Sequence, residues 1–352
     1  MQERVLMKGN EALAEAAIRA GCRHYFGYPI TPQTEIAAYM AKRMPKVGGT
    51  FLQAESEVAA INMVLGAASA GVRAMTSSSS PGISLKCEGI SYIAGSDLPC
   101  LIVDVMRGGP GLGGIQPSQA DYWQVTRALG HGDAQVLVYA PSTVQEMVDM
   151  VVKAYEKAEQ YRVPAVLLAD GMLGQMMEPV SFPEEGAHAP AEKPWAANGH
   201  QNARKHNIIN SLFLKPDELE NRVRERFQRY ALIQKNEQLA EETMVEDAEI
   251  AVVAYGASAR IAMNAVKAAR AEGIKAGLIR PVSLWPFPTD AIRRAAGQAK
   301  QFLCVEMSMG QMVDDVRLTL EGSRPVAFYG RTGGIIPTPA EVLDQIKELA
   351  KS

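Results

Sequence analysis

Glu57 is the residue whose type and position best suit catalysis. The stretch that follows it, residues 58–66, is apolar at almost every position, so we expect Glu57 to begin a buried helix. A carboxyl group in such a place has a raised pKa unless a partner stabilises its charge. A protonated or proton-sharing carboxyl group is what is needed beside a basic heterocyclic nitrogen. The alternative is that Glu55 and Glu57 are a capping pair, because the dipole at a helix N-terminus favours carboxylates.

A stiff turn precedes Glu57 in the chain and carries a threonine that could face a ligand. The turn has the sequence Tyr28-Pro29-Ile30-Thr31-Pro32. Each proline fixes its own φ and pushes the residue before it toward an extended conformation, so the Thr31 hydroxyl has little entropy left to lose. Ligands of open α/β sheets bind at turns of this kind, at the carboxyl ends of strands. A purely structural strand-to-helix turn is the alternative.

Two more polar stretches follow apolar runs that predict strands. Residues 76–82 (TSSSSPG) contain Ser79 and open a predicted helix, which suits an anion or a polar ligand, or else a polar loop with a capping serine. Arg107 ends a predicted strand and enters a glycine-rich loop, an arrangement that suits a bidentate carboxylate clamp. A surface arginine on a flexible loop is the alternative. Neither common nucleotide-binding fingerprint is present.

Parallel sheets are expected to position these residues, because short apolar runs alternate with helical patterns. The predicted strands span residues 24–28, 49–53, 72–77, 101–105, 135–140 and 163–169, and then 250–255, 275–279, 301–305 and 326–329. The pattern predicts an α/β protein whose sheets carry helices on both faces. We expect a first domain at residues 1–178, a linker and charged helical segment at 179–248, and a second α/β domain at 249–352.

Bulk properties limit the possible partners. A net charge of −3 argues against nucleic acid, and no apolar stretch is long enough to span a membrane. The charged first ten residues do not resemble a signal peptide, so we expect a cytoplasmic protein. The four cysteines form no C-x-x-C pair, so we expect neither an iron–sulfur cluster nor structural zinc on this chain. The arginines between residues 222 and 229 indicate a solvated helix face or a surface for an acidic partner.

Taken in order, these motifs resemble those of the α subunits of the 2-oxoacid:ferredoxin oxidoreductases. The YPITP turn is quite specific to that family, whereas the other motifs are weaker alone. The resemblance covers nearly the whole chain and implies a pyrimidine-binding domain of thiamine diphosphate enzymes, followed by a domain similar to the transketolase C-terminal domain. Residues 310–312 (GQM) and 330–334 (GRTGG) look most like the members that act on branched-chain 2-oxoacids.

The resemblance also implies roles for individual residues. Glu57 matches the glutamate that hydrogen-bonds N1′ of the aminopyrimidine ring, with Glu55 as the fallback. Thr31 matches the threonine at the reacting centre, and Arg107 matches the arginine that binds the substrate carboxylate. No metal ligand is expected on this chain. The cofactor-binding residues that the resemblance implies are Tyr28, Pro29, Ile30, Thr31, Glu57 and Ser79.

The cofactor site is expected to be shared between subunits. The family's diphosphate and Mg²⁺ motif has only a partial match here, Asp170-Gly171, without the asparagines that should follow. The resemblance therefore implies a β subunit that binds the diphosphate, with Mg²⁺ and [4Fe–4S] clusters on partner subunits. It also implies a γ subunit, a ferredoxin-like δ subunit, ferredoxin as electron acceptor and coenzyme A as co-substrate.

The expected activity is the coenzyme A-dependent oxidative decarboxylation of a 2-oxoacid, with 3-methyl-2-oxobutanoate as the favoured substrate. Three alternatives stay open. The chain could belong to a pyruvate or 2-oxoglutarate enzyme, it could be half of another thiamine enzyme, or it could be a non-catalytic scaffold. The residues alone do not separate these alternatives.

Overall fold

A computed structural model describes residues 4–351, in which strands and helices alternate along the chain. The strands are β1 (Val5–Lys8), β2 (His24–Gly27), β3 (Thr50–Gln53), β4 (Ala74–Ser78), β5 (Leu101–Met106), β6 (Leu137–Tyr139), β7 (Ala165–Asp170), β8 (Met177–Val180), β9 (Ala240–Thr243), β10 (Ile250–Val253), β11 (Ala276–Pro281), β12 (Ser283–Trp285), β13 (Gln301–Glu306) and β14 (Val326–Gly330). The helices are α1 (Gly9–Arg19), α2 (Thr34–Arg43), α3 (Glu57–Ser69), α4 (Ser80–Gly95), α5 (Tyr122–Arg127), α6 (Val144–Tyr161), α7 (Gly171–Gln175), α8 (Pro216–Asn236), α9 (Gly256–Ala271), α10 (Thr289–Ala296), α11 (Met312–Leu320) and α12 (Pro339–Leu349).

The first sheet has seven strands in the order β12-β6-β7-β5-β4-β2-β3. Strands β2 to β7 are mutually parallel, and β12 is an antiparallel edge. Every residue of β5 and of β7 is buried, because helices cover both faces of the sheet. The predicted strands are confirmed here to within a few residues. Their carboxyl ends form the edge on which the turns of interest lie.

The second sheet has the order β14-β13-β10-β11-β9 and is parallel except for β9. Two edge strands come from parts of the chain that the sequence did not predict to contribute them. Strand β9 comes from the predicted linker, and β12, from the C-terminal part of the chain, completes the edge of the first sheet. Neither strand has a hydrophobic alternation that the sequence could reveal, since edge strands tend to be short or charged. The two halves of the chain are therefore interlocked.

Helix α8 is anchored to the first half through its arginines. Arg226 is only 7% exposed, and its Nε donates a hydrogen bond of 2.9 Å to Asp97 Oδ1; Arg229 donates to the same carboxylate. The expectation of a solvated arginine face is therefore wrong for these two residues and correct for Arg222 and Arg224, which are exposed. The residues between 4 and 351 form no helix, α8 included, that is both long and apolar enough to cross a membrane.

Gln119 joins the two halves at the carboxyl edge of the second sheet. This fully buried side chain donates from Nε2 to the carbonyl of Tyr255 (2.9 Å). Its Oε1 accepts from the Ser258 hydroxyl (2.7 Å) and from the Met307 amide (3.0 Å). Because Tyr255 follows β10 and Met307 follows β13, one side chain from the first half satisfies polar groups at the ends of two strands of the second.

We predict that Gln119→Ala destabilises the chain by about 3 kcal/mol, since three buried groups lose their partner at once. The measurement is the free energy of unfolding from urea titration. Gln234→Ala, on the exposed face of α8, is the matched control and should leave the transition unchanged. A Gln119→Ala transition that coincides with that of the parent chain would contradict this account of the junction.

Candidate active site

The turn at residues 28–32 is held from the sheet side by a chain of buried hydrogen bonds. Gln33 Nε2 donates to the carbonyl of Tyr28 (3.2 Å), and Gln33 Oε1 accepts from the Ser77 hydroxyl (2.6 Å). Ser77 in turn accepts from the hydroxyl of Tyr25 (2.7 Å). Since Tyr25 lies on β2 and Ser77 on β4, the turn is fixed to the central strands and not only stiffened by its prolines.

Arg107 holds the same turn from the other side. Its Nη1 donates to the carbonyl of Thr31 (3.0 Å), and its Nη2 donates to the carbonyl of Leu112 (3.1 Å) in the glycine-rich loop. Only 9% of the residue is exposed, and its buried Nε has no partner among the residues described. The structure thus brings together Arg107 and Thr31, whose side chain is exposed. It also gives Arg107 a structural task, because the guanidinium joins the turn to the loop.

The two glutamates at the start of α3 have different environments. Glu57 is 7% exposed, whereas Glu55 is exposed. The side-chain cap of the helix is Ser56, whose Oγ accepts from the amide of Ala59 (3.1 Å). Glu57 lies in the first turn, where the helix dipole favours a carboxylate, and Glu55 precedes the cap. Among residues 4–351 no group donates a hydrogen bond to the Glu57 carboxylate. This carboxylate is nearly buried and still lacks a donor.

Glu57 lies against the first turn of α4. A Cβ atom on Gly82 would come within 2.8 Å of Glu57 Oε1 and within 2.1 Å of Ser78 Oγ, so only glycine allows this approach. The hydroxyls of Ser78 and Ser79 are buried and have no partner in the described part of the chain. Ser79 precedes α4 but does not cap it with its side chain. Buried polar groups are normally paired, so this set of unpaired groups fits a polar ligand that enters from the carboxyl edge of the sheet.

The apolar stretch after Glu57 is less buried than its composition predicts. Val58 is 43% exposed, and Asn62 and Gly66 are exposed on the same face of α3. The spacing of four residues places these positions in one row along the helix. One face of the helix that carries Glu57 is therefore open in the single chain.

Two acidic residues near this site were not identified from the sequence. Asp104 on β5 is fully buried and Asp121 almost so; the hydroxyl of Ser80 donates to Asp121, and Ser80 Oγ accepts from the amide of Arg107 (3.0 Å). Burial raises the pKa of both carboxyl groups, and the charge of Asp121 raises that of Asp104 further. The pair can therefore retain a proton beneath Arg107. An aspartate inside an apolar run was the signal that could have revealed it.

A cavity of about 620 Å³ lies beside Thr31 and Pro32. Four apolar side chains line much of it: Ile115, Met172, Met176 and Ile336. Glu35 is the charged residue of the lining, and although burial opposes ionisation, hydrogen bonds from Asn10 and Gln175 keep the pKa of its carboxyl below the usual value. Within the described residues, the lining includes no lysine, arginine or histidine.

Asp170, the nearest match to the family's diphosphate motif, is engaged elsewhere. Its Oδ1 accepts from the amides of Met172 (2.9 Å) and Leu173 (3.1 Å), so it caps α7. Burial raises its pKa to about 6, opposed by these bonds and by one from the amide of Ala257. No cluster of three or more possible metal-ligating side chains is formed by residues 4–351. The carboxylate thus has a structural role at the junction of the two halves.

Comparison with known proteins finds similarity over nearly the whole chain. A family model described as "Pyruvate flavodoxin/ferredoxin oxidoreductase, thiamine diP-bdg" matches residues 15–247, and "Pyruvate:ferredoxin oxidoreductase core domain II" matches residues 248–342. The ketoisovalerate oxidoreductase subunit VorB of Methanothermobacter thermautotrophicus is 51% identical over 98% of this chain and 97% of its own length.

Two solved structures are similar in fold. A 2-oxoglutarate:ferredoxin oxidoreductase from Magnetococcus marinus, with 2-oxoglutarate, coenzyme A and succinyl-CoA bound, has a TM-score of 0.86 at 27% identity. It covers 99% of this chain, which spans 66% of that longer one. A split-gene transketolase, described as an inactive β4 tetramer, has a TM-score of 0.61 at 16% identity and covers 98% of both chains, which concerns the fold alone.

These matches confirm the predicted fold class, a pyrimidine-binding domain of thiamine diphosphate enzymes followed by a transketolase C-terminal-like domain. They extend over nearly the whole chain and include the turn, the loop and the helix start described above. The chain belongs to the 2-oxoacid:ferredoxin oxidoreductase family.

Proposed function

We propose that the chain is the α subunit of a multi-subunit enzyme that oxidatively decarboxylates branched-chain 2-oxoacids. In the reaction a 2-oxoacid, coenzyme A and two oxidised ferredoxins give acyl-CoA, CO₂, two reduced ferredoxins and a proton. The observation that carries this proposal is the Glu57 carboxylate, nearly buried at the carboxyl edge of the sheet and without a donor from the described residues. That is the arrangement a protonated ring nitrogen of thiamine diphosphate would complete.

Glu57 is the acid–base residue of the proposed site. Thiamine diphosphate, when bound, supplies the carbon that attacks the 2-oxo group and the electron sink that accepts the electrons released with CO₂. Glu57 accepts a hydrogen bond from N1′ of the pyrimidine ring and holds the proton that the two groups share. Ser79 and the turn of Tyr28, Pro29, Ile30 and Thr31 border the same edge and form the rest of this chain's contact with the cofactor.

Thr31 and Arg107 are proposed to orient the substrate. The Thr31 side chain borders the cavity, so its hydroxyl can donate to the substrate carbonyl or carboxylate. Arg107 fixes the Thr31 backbone and places a positive charge beside it. Because two of its nitrogens already donate to carbonyls, Arg107 attracts the carboxylate without forming a full bidentate pair with it. A loose hold is favourable, since ground-state binding of the departing carboxylate would slow the step.

The chain supplies half of the cofactor site. Asp170 caps a helix, so the diphosphate and Mg²⁺ must be held by another polypeptide, which we propose is a β subunit docked on the open face of α3. Val58, Asn62 and Gly66 are the centre of that face. The [4Fe–4S] clusters belong in the same proposal to partner subunits, together with a γ subunit, a ferredoxin-like δ subunit and ferredoxin as the acceptor.

The cavity beside Thr31 supports a branched-chain substrate. Its methionine and isoleucine side chains suit an isopropyl group, whereas the second carboxylate of 2-oxoglutarate needs a cation. Glu35 in the lining is ionised, and the nearby cation Lys8 is already paired with it (3.4 Å), so the described residues offer no free cation for that carboxylate. The near full-length similarity to a ketoisovalerate oxidoreductase subunit supports the same choice.

We predict that Glu57→Gln lowers kcat by about 100-fold or more, because the amide cannot hold the shared proton. The measurement is ferredoxin reduction by 3-methyl-2-oxobutanoate in the complex reassembled from all subunits. Glu55→Gln is the matched control, two residues away and exposed, and should retain the parental rate. Full activity of Glu57→Gln, or loss of activity in Glu55→Gln alone, would show that the wrong glutamate has been assigned.

We predict that the assembled enzyme prefers 3-methyl-2-oxobutanoate to pyruvate and 2-oxoglutarate, and that Met176→Lys shifts this preference. A cation in the cavity should lower kcat/KM for the branched-chain acid by about tenfold and raise that for 2-oxoglutarate. The neighbouring Met177 is exposed and outside the lining, so Met177→Lys is the control for the added charge. Equal effects of the two substitutions would place the substrate pocket elsewhere.

A further inference from the structure

Lys86 is a buried cation that the proposed mechanism does not use. The residue lies in α4 with no exposed surface, and its Nζ has no hydrogen-bond partner in the part of the chain that the structure describes. Removing an ammonium group from water is costly unless an opposite charge compensates it. A methionine or leucine would fill the same space at no such cost, so a lysine here calls for a functional explanation.

Lys86 occupies the face of α4 that packs on α3. Gly82, four residues earlier, lies against Glu57, and Gly89, three residues later, lies against Ile61, where a Cβ would meet Cγ2 at 2.5 Å. Positions 82, 86 and 89 form one row along the helix, so the Lys86 side chain enters the seam between the two helices. Glu57 lies at the end of that seam where both helices begin.

Glu57 is the nearby opposite charge on the same helix seam, although the described residues show no hydrogen bond between its carboxylate and Lys86 Nζ. Burial lowers the pKa of Lys86 to about 8, and the Glu57 carboxylate opposes this shift. Helix α3 carries no other ionisable side chain, and β4 carries none. Asp104 on β5 is directed toward Ser80 and Asp121. His131, in the loop after α5, lies beside Tyr92 near the C-terminal end of α4.

We propose that Lys86 is the counter-cation of Glu57 and keeps its carboxylate ionised while the site is empty. This role rests on the proposed function, in which Glu57 faces the pyrimidine ring. Once the ring is bound, the ammonium group behind Glu57 draws the shared proton off the carboxylate and toward the ring nitrogen. Lys86 touches neither substrate nor cofactor, and it is therefore a positioning residue that sets the charge state of its neighbour.

The test is the number of protons taken up when thiamine diphosphate binds. The cofactor-free complex, reassembled with its partner subunits, is titrated with thiamine diphosphate and Mg²⁺ by calorimetry in two buffers of different ionisation enthalpy, from pH 5 to pH 8. An ionised Glu57 must gain a proton to share, so we expect the parent complex to take up close to one. In Lys86→Met the onset of uptake should move to higher pH by about one unit, and the acid limb of kcat/KM should move with it.

Two variants complete the experiment. Lys86→Arg retains the charge and should restore the parental onset, whereas Lys267→Met removes an equal charge from the exposed face of α9 and should change nothing. A Lys86→Met complex with the parental onset of uptake and the parental pH profile would overturn the proposal. Glu57→Gln in the same titration separates the assignment of Glu57 from the role of Lys86. If Glu57→Gln leaves proton uptake unchanged, the assignment of Glu57 fails. If Glu57→Gln abolishes proton uptake but Lys86→Met leaves its pH dependence unchanged, only the role of Lys86 fails.

A cofactor-independent measurement checks that Lys86 is desolvated in the assembled complex. Its pKa is lower folded than unfolded, so the unfolded chain binds more protons between about pH 8 and the usual lysine range near 10.5, and stability should rise with pH across that window. Lys86→Met should lack this rise, as measured by urea midpoints at pH 7.5 and pH 9.5. Identical pH dependence in the parent and variant complexes would count against a buried cation and so against the proposal.

Discussion

The site depends on one carboxylate, that of Glu57, which is removed from water without receiving a hydrogen bond from residues 4–351. Glu57 begins α3, faces the glycine at the start of α4 and lies near two serine hydroxyls that have no hydrogen-bond partner in the described part of the chain. An unpaired buried acceptor destabilises the folded chain, so such an arrangement persists where a ligand or partner completes it. The surrounding features follow from this constraint: the glycine that allows the close approach, the buried lysine in the same helix seam, and the open face of α3.

The turn that borders the site is rigid for reasons beyond its prolines. Gln33 and Ser77 fix it to the sheet, and Arg107 fixes it to the glycine-rich loop. The family resemblance implies that Arg107 binds the substrate carboxylate. In the structure Arg107 has a second role, because two of its nitrogens donate hydrogen bonds to backbone carbonyls. The same guanidinium therefore couples the conformation of the loop to the position of Thr31.

The interlocked sheets explain how the chain can present a firm edge to another polypeptide. Strand β12 returns from the second half to complete the first sheet, and Gln119 reaches from the first half into the second. Separation of the halves would expose an unpaired strand edge and several buried polar groups. The cofactor edge is thus supported by both halves of the chain, although its residues come from the first.

Much of this organisation was predictable from the sequence alone. Continuous apolar strands and the proline-bracketed turn have local signals, so the central parallel strands, the turn and the burial of Glu57 could be predicted from the sequence. The solvated arginine face was wrong for Arg226 and Arg229, because a helix pattern does not reveal that Asp97, distant in the sequence, accepts hydrogen bonds from them. Edge strands β9 and β12 have no alternation of apolar and polar residues from which a strand could be predicted.

Only the tertiary structure decided what lies around the carboxylate. The sequence separates Glu57 from Lys86, and Asp104 from Asp121, by many residues. A charged residue within an apolar pattern does not indicate which residues it will contact. Their roles depend on burial and on which helix face meets which strand, and these are set by long-range packing. The sequence by itself therefore determined which types of residue form the site, whereas the tertiary structure determined which charged groups lie next to one another.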